Sequence, residues 1–133
     1  MATQRGLDSI DVRGFIPPPE LGQALSLADV LIIPSLPEGR MPYVAITKVY
    51  DYLAMGRPIL AADLPSIREV IENGKNGLLF KAGDAAELKK QLKILASDKN
   101  LRKRLKDGAG LRLNDFSWSK RSNKWWNAVN QSS

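Results

Sequence analysis

Apolar and polar positions alternate along the 133-residue chain in two rhythms, and the change from one to the other marks out its elements. Val12–Ile16 is a short apolar run that predicts a strand, and after Pro17-Pro18-Pro19 the residues Leu21, Ala24, Leu25 and Ala28 fall on one face of a helix. Asp29–Ser35 follows at once as a continuous apolar run stopped by Pro34, the pattern of a parallel strand covered on both faces. Within Thr47–Asp63, Val49 and Leu53 continue an apolar stripe from Ile46, while Lys48, Asp51 and Tyr52 share another face. Gly56 sits where a helix ends in a left-handed residue, Pro58 bars continuation, and Ile59–Ala62 reads as a short buried strand.

Ser66 and Glu69 have the spacing of a capping box, predicting a helix that closes at Gly74, and Gly77–Phe80 is the next strand candidate. Asp84 and Glu87 repeat the capping pattern ahead of Leu88, Leu92 and Leu95, an amphipathic helix reaching about Ala96. A basic helix is expected from about Asn100 to Lys106 or slightly beyond, before Gly108 and Gly110. Ser117 or Ser119 offers a cap for a last helix carrying Trp125, Trp126 and Val129. Strands alternating with helices predict an α/β fold: a partial Rossmann-like parallel sheet of about four strands flanked by helices, with a helical C-terminal third. Residues 1–133 form one domain, the alternation lying in 1–80 and the basic helical part in 81–133. Ligands of such sheets bind beyond the carboxyl ends of the strands, which here include Pro34–Ile46 and Asp63–Pro65.

Composition narrows the chemistry. A hydrophobic content of 44% supports a core. The chain has no Cys and no His, which excludes disulfides, thiolate and imidazole metal sites, cysteine nucleophiles and histidine acid–base catalysis. No apolar run approaches the ~20 residues of a membrane span, and the opening residues lack the apolar centre of a signal peptide, so a cytoplasmic protein is expected. The net charge of +6 is uneven: residues 1–80 hold seven basic and nine acidic side chains, residues 81–133 thirteen and five. In Lys99–Lys106 the basic residues interleave with Leu101 and Leu105, which suits a solvated helix face or a peripheral contact with anionic head groups. Nucleic acid is not an expected partner, because no aromatic side chains suited to base stacking are interleaved there.

Several segments, taken in order, resemble the C-terminal, donor-binding domain of the group 1 glycosyltransferases, retaining enzymes of the GT-B fold. These are "GFIPPPELGQALSLADVLIIPS", Glu38-Gly39, "KVYDYLAMGRPILAAD", "IREVIENGKNGLLFKAGDAAEL" and "FSW". The resemblance implies a site built on two carboxylates. The first, matched by Glu38, faces the transferred sugar and is the candidate catalytic residue; the second, matched by Asp51, binds ribose hydroxyls. Thr47, Lys48, Gly39 and Arg40 are the further candidate substrate-binding residues, with Lys48 toward a phosphate and the start of the Lys48 helix offering N–H groups to the diphosphate. The chain departs from the family in the twelve residues separating Glu38 from Asp51, a wider spacing than usual, in Asp for Glu at 51, and in Arg40-Met41 where an aromatic and a glycine are usual.

The implied substrate is a nucleotide-sugar, with no cofactor and no metal. The resemblance begins at the third strand of the order 3-2-1-4-5-6, so Val12–Ile16 would stand two strands away from Asp29–Ser35 and leave that apolar strand as an edge. Such an edge calls for a rearranged sheet, for a second copy of the chain in a homo-oligomer, or for the missing acceptor domain or another chain. Three readings stay open. The chain is part of a transferase with little activity alone, a non-catalytic nucleotide-sugar-binding module, or a basic module for membrane or protein contact.

Overall fold

Ile59–Ala62 forms the central strand of the computed structural model, which describes residues 9–44, 46–117 and 120. Side chains alternate across a strand, yet all four here are buried, so both faces are covered. This strand, β2, pairs in parallel with β1 (Leu31–Ile33) on one edge and β3 (Leu78–Phe80) on the other, in the order β1-β2-β3. Ile32 stands opposite Leu60 and Leu79 opposite Ala61. Two further backbone bonds extend the ladder: Leu31 N–H donates to Pro58 O at 2.9 Å and Asp63 N–H to Phe80 O at 2.8 Å.

The α-helices placed in full among the described residues are α1 (Pro18–Ser26), α2 (Lys48–Ala54), α3 (Pro65–Arg68), α4 (Ala85–Ser97) and α5 (Lys99–Leu113). Pro18 and Pro19 open α1, where their missing N–H groups cost nothing, and its expected face is half-buried. Helix α2 ends as its sequence predicts. Val49 and Leu53 are buried, and Gly56 takes a φ of +58°, so the chain turns back into β2. No helix among the described residues is long and apolar enough to cross a membrane.

Three expectations are corrected. Val12–Ile16 is not a strand, and among the described residues the sheet has three strands rather than four. Val12 is 76% exposed and Phe15 88%, so this run has no sheet neighbour to bury it, and Gly14 and the following prolines weaken its pairing. Ser66 and Glu69 form no capping box. Helix α3 starts two residues earlier than a Ser66 cap would place it, at Pro65 after Leu64, and ends at Arg68; Glu69 closes it, and Ser66 Oγ is buried without a partner. The segment up to Gly74 is held instead by Asn76, whose Oδ1 accepts from Glu72 N–H at 2.6 Å and whose Nδ2 donates to Val70 O at 2.9 Å.

The third correction concerns α5, which runs through Gly108 and Gly110 rather than stopping before them. A Cβ at Gly108 would lie 2.0 Å from Lys75 O, so the glycine lets the helix rest on the Lys75–Asn76 backbone. One turn on, Arg112 donates from Nη2 to Glu69 O at 2.9 Å and stacks over Phe116, whose ring meets Tyr50 of α2 at 5.2 Å edge to face. Asp98 caps α5 by accepting from Leu101 N–H at 2.8 Å, and Arg102 donates to the last carbonyls of α4, those of Leu95 and Ala96. Asp84 likewise caps α4 by accepting from Glu87 N–H, as its spacing predicts. The expected last helix with Trp125, Trp126 and Val129 lies outside the described residues.

The two glycines of α5 should respond oppositely to alanine. Gly108→Ala should lower stability by more than about 2 kcal/mol despite its better helix propensity, because a backbone carbonyl must move. Gly110→Ala, with open space around it, should gain about 0.5–1 kcal/mol. Urea unfolding followed by circular dichroism measures both, and equal responses would contradict the close approach of α5 to Lys75.

Candidate functional site

A parallel sheet gathers the loops that follow its strands at one edge, and those loops here are 34–47, 63–64 and 81–84. Helix α2 begins at that edge and runs back toward the start of β2. Thr47 precedes it, Lys48 is its first residue and Asp51 lies within its first turns. All three side chains are exposed, and those of Lys48 and Asp51 make neither an ion pair nor a hydrogen bond among the described residues. The carboxylate of Asp51 is therefore an acceptor turned to solvent. Beside it, burial pushes the Tyr52 phenol up from its usual pKa, and the charge of Asp51 pushes it the same way.

The N–H groups at the start of α2 are less open than expected. Val49 N–H donates to Ile46 O at 3.1 Å and Tyr50 N–H to Thr47 O at 3.0 Å, while the Thr47 side chain caps nothing. What the segment turns to solvent at the start of α2 is therefore the side chains of Thr47, Lys48 and Asp51.

Glu38, Gly39 and Arg40 lie together in an exposed turn after β1. Gly39 has φ +57°, which a residue with a side chain adopts at a cost, and Arg40 O accepts from Tyr43 N–H at 3.0 Å to start the single-turn helix Met41–Tyr43. That turn lies against α3. The preceding Pro37 lines an open cleft of about 780 Å³ over the carboxyl ends of β2 and β3. No hydrogen bond or ion pair among the described residues joins the Glu38 group to the Lys48–Asp51 group, so the structure leaves them as two clusters on separate segments.

The cleft beside Pro37 holds groups that sequence reasoning did not name as site residues, although Asp63 lies in a segment it placed at the ligand edge. Asp63, directly after β2, accepts two hydrogen bonds from Arg68 of α3, one of them at 2.6 Å. Lys81 stands across the cleft, and its backbone N–H donates to Glu87 Oε2 at 2.7 Å. The signal for Asp63 was its place immediately beyond an apolar strand. Nothing local marked Arg68 as its partner.

A sequence model of the family described as "Glycosyl transferases group 1" matches residues 1–98. A curated relative, the D-inositol 3-phosphate glycosyltransferase of Streptomyces bingchenggensis, is 33% identical over 113 residues, spanning 83% of this chain but 24% of that protein. Among solved structures, Anabaena Alr3699/HepE in complex with UDP superposes with a TM-score of 0.78 at 20% identity, over 98% of this chain and 35% of its own. The C-terminal domain of the group 1 family protein LpcC from Francisella tularensis gives 0.71 at 20% identity, over 86% of this chain and 57% of its own. The fold is thus that of the sugar-transferring α/β enzymes. The chain belongs to the group 1 glycosyl transferases.

The Asp63 pair carries a pH signature. Hydrogen bonds from Arg68 hold the Asp63 carboxyl below its usual pKa, outweighing a partial burial that acts upward. A depressed folded pKa means that the pair's contribution to stability is present above the unfolded value of about 3.9 and fades as pH falls through the lower folded value. Carbon-13 titration should place the Asp63 midpoint below that of an unperturbed aspartate, and Arg68→Ala should return it to or above that value. An unchanged midpoint in the variant would remove Arg68 as the cause.

Proposed function

We propose that the chain forms the nucleotide-sugar-binding part of a retaining glycosyltransferase, with the start of α2 as the nucleotide contact. The observation that carries this reading is the unpaired, exposed Asp51 carboxylate on α2 at the carboxyl edge of a parallel sheet, in a chain of this family. Two vicinal ribose hydroxyls donate well to one carboxylate, and a charge-assisted bond of this kind contributes about 1.5–3 kcal/mol in a shielded site. Lys48, on the same face, meets a phosphate oxygen as a point charge. Thr47 adds a hydroxyl at the same helix start.

The turn carrying Glu38, Gly39 and Arg40 is assigned to the transferred sugar, with Glu38 as the catalytic carboxylate. Retaining transfer passes through an oxocarbenium-like centre while a diphosphate leaves, and it gains from a carboxylate near the sugar and cations near the phosphates. In this reading lysine and arginine meet the phosphate charge and no metal takes part. The acceptor and the remaining diphosphate contacts come from parts of the enzyme beyond the 24% of the relative's length that this chain spans, so the chain alone binds donor without turning it over.

UDP is the natural first probe, since a structural neighbour was solved with it. Calorimetry should show binding that Asp51→Ala weakens by about 1–3 kcal/mol and Asp51→Asn by less, because the amide oxygen still accepts. Equal affinity in wild type and Asp51→Ala, both folded, would remove Asp51 from the site.

A further inference from the structure

The opposite edge of the sheet carries a second feature. Asp29 and Val30 precede β1, and Arg57 and Pro58 precede β2, so together they mark the amino edge, away from the start of α2. Helix α5 lays Lys99, Lys103 and Lys106 beside them in a depression of about 290 Å³. These lysines are exposed and make no ion pair or hydrogen bond among the described residues. Arg57 and Arg102, which line the same depression, are used structurally: they donate to Ser26 O and to Leu95 O and Ala96 O. Asp29 is the single acidic residue lining it, so the depression is strongly positive.

This cationic depression is one end of a longer surface. It shares Asp29 and Arg102 with a second hollow, which shares Leu92 and Ala96 with a third along the outside of α4. The third hollow has Leu88 and Leu92 in its wall and Lys89 and Lys93 on its rim. An apolar furrow edged by lysines thus runs into a lysine cluster, and among the described residues no aromatic side chain lines any of the three.

We propose that this surface docks the protein on an anionic lipid bilayer, with Lys99, Lys103 and Lys106 against phosphate head groups and the α4 furrow against the interfacial apolar layer. Two features select a bilayer. Lysine stems lie along apolar surface while their ammonium groups stay wet, which suits the head-group boundary. The described residues of the furrow offer none of the stacking platforms for bases that single-stranded nucleic acid would need. Docking here leaves the carboxyl edge, with Asp51 and Glu38, open.

The test uses the whole chain with vesicles of phosphatidylcholine alone or mixed with phosphatidylglycerol, measured by co-sedimentation. Binding should require phosphatidylglycerol and disappear between about 0.1 M and about 0.5 M salt. Each lysine near an anionic surface is worth roughly a fivefold gain in affinity, so Lys99→Glu/Lys103→Glu/Lys106→Glu should lose about a hundredfold or more. Arg102 is left intact because it joins α4 to α5. A charge-matched variant, Arg13→Glu/Lys75→Glu/Lys81→Glu, should bind within a few-fold of wild type. The chain has no cysteine, so an environment-sensitive dye on Ala96→Cys reports the furrow in an otherwise unchanged protein and should shift to the blue on phosphatidylglycerol vesicles. Equal binding to neutral vesicles, equal losses in the two triple variants, tighter binding to an RNA oligonucleotide than to the vesicles, or an unshifted dye would each overturn the proposal.

Discussion

Burying β2 on every side is the constraint on which the rest of the structure depends. A strand of Ile59, Leu60, Ala61 and Ala62 exposes no polar side chain, so it is stable only with a strand on each edge and cover on each face. Burying Ile59 or Leu60 alone is worth about 1.5–3 kcal/mol relative to leaving it exposed. The parallel pairing follows, because each neighbour is reached by a crossover: α2 leads from β1 to β2, and α3 with the Asn76 turn leads from β2 to β3. Those crossovers place every loop after a strand at one edge. The start of α2, the Glu38 turn and the Asp63–Arg68 pair share that edge for this reason.

Helix α5 is fastened to the rest of the fold around one close approach. Gly108 lets α5 lie on the Lys75–Asn76 backbone, Arg112 reaches the carbonyls of Glu69 and Val70, and Phe116 meets Tyr50. Leu101, Leu105 and Ala109, each four residues from the next, form the buried stripe of α5. With that stripe inward, Lys99, Lys103 and Lys106 are carried outward to the amino edge. Packing of the apolar residues therefore decides where the positive charge of α5 is displayed.

Elements whose cause is local were legible in the sequence. Helix α2 and strand β2 were marked by the apolar stripe, Gly56, Pro58 and an uninterrupted apolar run, and the Asp84 cap of α4 by its spacing to Glu87. Elements decided by distant partners were not. Val12–Ile16 has the composition of a strand but no neighbour, Ser66 and Glu69 have a cap's spacing but sit one step inside and at the end of α3, and Gly108 resembles a helix breaker while serving as a contact. The same divide runs through the candidate site: Lys48 and Asp51 were placed correctly on one exposed helix face, whereas the pairing of Asp63 with Arg68 depends on how α3 folds back over the end of β2.

The two edges of the sheet give the protein separate faces, one with a free carboxylate beside a lysine, proposed to meet a nucleotide, and one rich in lysines, proposed to meet an anionic surface. A nucleoside diphosphate carries charge that either face could attract, so the location of binding tests the account most directly. The measurement is a map of amide chemical-shift changes in nitrogen-15-labelled protein titrated with UDP. The account predicts changes centred on Thr47–Tyr52 and extending to Glu38–Arg40. Changes confined to Asp29, Arg57 and Lys99–Lys106 would contradict it.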